Sequence, residues 1–178
     1  MLAEHIRDTA ATTVVFGFFA SSWFGWAQES PPRGWRKPLI AASVLTLLTA
    51  VAGALLTWRY WDDGTAFDAG TSRRFGIVVG IEFAAAALGA AVLAVRRRRE
   101  LIPVWIAFVV GVHLFPVASL IGYPVIHVVA ALITLASVVA VPIARSRSIT
   151  PSAVVGAATG AVLLAAALFS LAGAALGL

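Results

Sequence analysis

Six uninterrupted apolar blocks run through this chain, at residues 10–27, 39–58, 75–95, 101–121, 124–141 and 153–178. Each holds 18 to 26 residues, and at a helical rise of ~1.5 Å per residue each is long enough to cross ~30 Å of hydrocarbon. The blocks are continuously apolar and do not alternate in units of about ten residues, which excludes the strands of a membrane barrel. Helices remain, because lipid offers no partner to a free backbone amide. The surplus of apolar residues has no other place to go. Hydrophobic residues make up 61% of the chain and charged residues 12%, against about 45–50% and about 25% in soluble domains. The expected fold is therefore all-α, a polytopic membrane bundle of six transmembrane helices forming one integral membrane domain over residues 1–178.

The first block carries Thr12, Thr13, Ser21 and Ser22, whose hydroxyls can bond to carbonyls one turn back in a helix. The residues before it have mixed charge and no small-residue cleavage pattern, so this helix is expected to be retained. Between blocks lie Pro31, Pro32, Gly34 and Pro38, then Asp62, Asp63 and Gly64, and later Gly122 with Pro124. All are turn-forming residues.

Orientation follows from the cations. Nine of the thirteen (Arg33, Arg36, Lys37, Arg96, Arg97, Arg98, Arg99, Arg145 and Arg147) fall on one side of the six-helix topology, against Arg7, Arg59, Arg73 and Arg74 on the other. The positive-inside rule makes the nine-cation side cytoplasmic, with both termini outside. Trp23, Trp26, Trp35 and Trp105 then lie near the inner interface, and Trp58, Tyr60, Trp61 and Tyr123 near the outer one, as an aromatic belt requires.

The absence of cysteine removes disulfides, thiolate nucleophiles and thiolate metal sites. No HExxH, GxGxxG, GxxxxGK[ST] or GxSxG is present, so nucleotide-binding and hydrolase signatures are missing. The net charge of +5 comes from cations at the ends of apolar blocks, which fits membrane topology and not nucleic acid. No enzyme activity, cofactor or metal is assigned.

Candidate chemistry concentrates in the outer half of the bundle. Glu82 is the only acid deep within a block, ~10 Å from its outer end at Phe75. A charged carboxyl facing lipid costs several kcal/mol, so Glu82 is expected to face the bundle interior, protonated or paired. His113 lies ~12 Å and His127 ~5 Å from the outer ends of two helices joined by a tight turn at Gly122 and Tyr123. The expected site unites Glu82, His113 and His127. Pro116 removes a backbone donor and frees the Val112 carbonyl, making room for a water or polar ligand. Ser119 and Tyr123 are expected beside it as supporting groups. The alternative is a buried Glu-to-His hydrogen bond that locks helices together. Two imidazoles and a carboxylate can bind metal, but spacings of 31 and 14 residues match no local metal motif.

Arg96, Arg97, Arg98 and Arg99 form a run that sets topology and can attract anionic lipid headgroups. Asp62, Asp63 and Asp68 read as solvated loop acids facing Arg59, Arg73 and Arg74. Gly76 with Gly80, Gly156 with Gly160, and Gly173 with Gly177 each give GxxxG spacing, which lets helix backbones approach. That serves packing within the bundle first, and a homo-oligomer or membrane partner second.

The stretch GVHLFPVASL with Gly122, Tyr123 and Pro124, and the aromatic first helix ending FFASSWFGWAQ, resembles small bacterial multi-spanning membrane families with a His-x-x-Pro helix. The likeness covers about a quarter of the chain. It implies a bacterial inner-membrane setting and singles out His113 and Pro116, without implying a reaction. The functional expectation is a small polar site serving proton- or cation-linked transport, binding or sensing, with Glu82 and His113 as its protonatable pair. A non-catalytic scaffold or partner subunit is the alternative.

Overall fold

Proline and glycine punctuation leaves long apolar stretches free to close their own hydrogen bonds. In the computed structural model, which describes residues 3–177, they do so as six helices. These are α1 (Ile6–Ala27), α2 (Arg36–Arg59), α3 (Ala69–Val95), α4 (Ile102–Leu120), α5 (Val125–Arg147) and α6 (Pro151–Leu176). A short 3-10 turn, Arg99–Leu101, leads into α4. Several helices outrun their apolar blocks. Helix α3 begins six residues before Phe75 because Asp68 caps it, its carboxylate accepting from the Thr71 amide at 2.6 Å. Helix α5 continues through Pro142 to Arg147, carrying a charged turn past the apolar stretch.

Five helices, α2 to α6, are long and apolar enough to cross a membrane. The expectation of six met a limit at α1, and the reason is where α1 lies. It packs between α2 and α6, burying Asp8, Thr9, Thr12 and Thr13 along with Phe16, Trp23 and Phe24. Hydroxyls on a helix face packed against neighbours are kept away from lipid. Those hydroxyls bond back along α1, Thr12 to the Asp8 carbonyl at 2.8 Å and Thr13 to the Thr9 carbonyl at 3.2 Å.

Close backbone approach builds this core. A Cβ on Gly156 would come within 2.7 Å of the Trp23 carbonyl oxygen of α1, and one on Gly17 within 2.9 Å of the Thr46 carbonyl oxygen of α2. Gly160 accommodates the Phe24 ring in the same way. The Gly156–Gly160 pair thus joins α6 to α1 inside the chain. Gly76 and Gly80 face open space, and Gly177 is the left-handed C-cap of α6 with no packing neighbour.

Successive helices run antiparallel, so alternate loops gather at opposite ends. At one end Thr150 donates to the Ser30 carbonyl at 3.1 Å, tying the α5–α6 and α1–α2 loops. At the other, Arg7 donates to the Trp61 carbonyl at 3.0 Å and lies over the Trp61 ring. Helix α3 stands apart. No residue in it is buried, and its helical neighbour is α4.

Candidate functional site

Two polar bonds hold α3 on α4. The Trp105 indole donates to the Ala85 carbonyl at 3.1 Å, its ring lying where Gly89 has no side chain. Less than a turn along α3 toward its N-terminus, Glu82 Oε2 meets His113 Nε2 at 3.3 Å, each side chain 16% exposed. The other ring nitrogen, Nδ1, lies 2.8 Å from the Val110 carbonyl. A carbonyl only accepts, so Nδ1 carries a hydrogen. Nε2 and the Glu82 carboxyl must then share one further proton, either as carboxylic acid with neutral imidazole or as carboxylate with imidazolium. Both forms are neutral overall, which is the condition for keeping ionisable groups among apolar side chains.

Because α3 leans on α4 and not on α1, a cavity of about 780 Å³ lies between the three helices. Single helical stripes form its walls. Asp8, Thr12, Phe16, Phe19, Trp23 and Trp26 line it from α1, a run of ~27 Å. Phe75, Glu82, Phe83 and Ala90 line it from α3, and Ile106, Val110, His113 and Leu114 from α4. Ile126 of α5 and Leu163 of α6 close the back, and no lysine or arginine touches the walls.

Asp8 is the wall residue that sequence reasoning missed. It lies just ahead of the first apolar block and is 5% exposed. Its oxygens accept from the Thr65 hydroxyl and the Ala66 amide, both at 2.7 Å. This fastens the α2–α3 loop over one end of the cavity, where Phe67 and Phe75 meet edge to face. The available signal was Asp8 preceding Thr9, Thr12 and Thr13 on one helical face.

The expected three-residue site becomes a pair. His127 is not on the cavity wall; its Nε2 lies 3.3 Å from Ser119 Oγ and its ring beside Phe115. Phe115 and Ser119 sit ~200° and ~240° around α4 from His113, so antiparallel neighbours need not bring the two histidines together. Ser119 therefore supports His127, not Glu82. Tyr123 is fully buried, its hydroxyl 2.9 Å from Ser170 Oγ, and anchors the α4–α5 turn to α6. Pro116 and Val112 are exposed on the outer surface of α4, so the freed carbonyl belongs to no polar pocket. Among the described residues no three His, Cys, Asp or Glu side chains converge as metal ligands.

At the opposite end, Arg96 to Arg99 are exposed and Arg98 reaches Glu100 at 3.9 Å. Asp62 and Asp63 are exposed. Asp68 is held below the ordinary aspartate range chiefly by the Thr71 amide it caps.

No protein-family profile, curated protein or solved structure matches this chain.

Proposed function

We propose that this chain is a six-span protein of the bacterial cytoplasmic membrane, with both termini outside. In this reading it binds a small membrane-soluble ligand between α1, α3 and α4, and couples binding or transport to the proton shared by Glu82 and His113. The observation that carries the reading is a single proton-sharing pair on the wall of a drug-sized cavity, since ligand sites are mostly apolar with few placed polar groups. Intramembrane ionisable residues are functional candidates by default. The sixth span is α1, whose Thr9, Thr12, Thr13 and Ser22 hydroxyls bond within the helix and which packs against α2 and α6. Orientation rests on the nine-to-four split of cations between the two ends, and the exposed Arg96 to Arg99 run would lie among anionic headgroups.

One observation favours a second reading, a scaffold or partner subunit: the whole outer face of α3, with Gly76 and Gly80, is unburied. The two separate by thermal unfolding of purified wild type, Glu82→Gln and His113→Ala from pH 5 to 8, with and without mono- and divalent cations. The site reading expects folded variants that lose a pH- or ligand-dependent shift present in wild type. Variants strongly destabilised at every pH, with no shift in wild type, would make the pair a clasp and favour the scaffold.

A further inference from the structure

We propose that the cavity takes a lipophilic organic cation, a hydrophobic amine or quaternary onium, whose binding expels the proton shared by Glu82 and His113. This deepens the preceding reading and rests on it.

Charge is the first ground. The groups that face the cavity with ionisable side chains are Glu82 of α3, His113 of α4 and Asp8 of α1; α5 and α6 contribute only Ile126 and Leu163. Two acids and one histidine, with no lysine or arginine, make a site suited to positive charge. Asp8 is held by neutral donors alone, the Thr65 hydroxyl and the Ala66 amide, while neighbouring Arg7 turns away to Trp61.

Hydrogen-bond capacity is the second. Both nitrogens of His113 are engaged, and the Thr12 and Ser22 hydroxyls point back to carbonyls of their own helix. Glu82 uses one oxygen on His113 and keeps the other. Apart from the indole N–H groups of Trp23 and Trp26, the cavity therefore offers a ligand an acceptor and almost no donor. A phosphate or carboxylate head would find no lysine or arginine to meet it, and His113 already engaged by Glu82.

The walls are the third. Phe16, Phe19, Trp23 and Trp26 of α1 and Phe75 and Phe83 of α3 line the same cavity as Glu82. Aromatic faces attract ammonium and onium ions, most strongly where water is excluded. The volume of about 780 Å³ suits a ligand of drug size, the usual range being roughly 300–1,000 Å³. Since α3 does not close against α1, the groove is reached from the apolar phase, where lipophilic cations partition.

The exchange balances. The resting pair holds one shared proton and no net charge. A monocation bound beside Glu82, about two turns along α3 from the Phe75 end that Asp8 fastens, would add a positive charge to a neutral pair among apolar walls, which is costly, unless the shared proton departs to water. Afterwards Glu82 is a carboxylate paired with the cation, and His113 is neutral with its Nδ1 hydrogen still on Val110. No bond to carbon forms or breaks.

The test uses the full chain in lipid nanodiscs with tetraphenylphosphonium as probe and triphenylphosphine oxide as the neutral control. Calorimetry in two buffers of different ionisation enthalpy counts the protons released. The expected result is about one proton released per cation, with affinity rising about tenfold per pH unit wherever one proton is released. Folded Glu82→Gln should lose saturable binding. Phe19→Leu, which keeps the carboxyl, should weaken binding about two- to fivefold, so the proposal stays testable even if Glu82→Gln unfolds. Equal affinity for cation and neutral control, or binding without proton release, would overturn the cation assignment. If only the neutral control binds, and Glu82→Gln abolishes it, the site reading stands and the cation falls. If neither probe binds wild type, the cation falls; the site reading is then judged separately by the pH-dependent unfolding above.

Discussion

Asp8 and Glu82 solve one problem, an acid among apolar side chains, in two ways. Glu82 shares a proton with a single base, so its neutrality is chemical. Asp8 collects two donors from a loop, so its burial depends on how that loop folds. Hydrogen bonds to a charged group contribute about 1.5–3 kcal/mol each. Asp8→Ala should therefore cost about that much or more in unfolding free energy and raise amide hydrogen exchange across residues 64–67, whereas Thr65→Ala removes one donor and should cost less. Unchanged exchange in Asp8→Ala would show that the loop does not depend on the carboxylate.

Among the elements, α1 and α3 invert what their hydropathy suggests. Helix α3 is apolar and buries nothing; α1 is hydroxyl-rich and buries eleven residues. In lipid, burial is not where apolar side chains collect but where backbones approach, and small residues mark it. Gly156→Leu should accordingly destabilise strongly, at or above the ~1–3 kcal/mol of ordinary overpacking, because its side chain would strike the Trp23 carbonyl and the Ala27 backbone. Gly80→Leu, with open space before it, should stay within ~0.5 kcal/mol. Thermal unfolding of both variants checks the contrast. A change of oligomeric state in Gly80→Leu would instead assign the α3 face to a partner.

For the whole molecule, the helical bundle was legible in the sequence because block length and continuity fix it. Glu82 and His113 were legible because an ionisable group in an apolar span has few ways to be satisfied. The exclusion of His127 was not: separating it from the pair depends on helical phase across a turn, and a residue count carries no phase between helices. Asp8 was hidden for a related reason, since its partners lie 57 and 58 residues away. The cysteine-free chain makes the two ends easy to distinguish. In intact cells, Asp63→Cys should react with a membrane-impermeant maleimide and Gly34→Cys should not; the reverse labelling would invert the proposed orientation.

The proton shared between α3 and α4 is the centre of this account, and nitrogen-15 NMR of the chain in bilayers reads it directly. With histidine labelled and His5 and His127 replaced by glutamine, the His113 ring should show Nδ1 protonated throughout pH 5 to 8. Its Nε2 resonance should move when Glu82 is replaced by glutamine. A bare Nδ1 with Nε2 carrying the only hydrogen, insensitive to Glu82→Gln, would contradict both the shared proton and the site built on it.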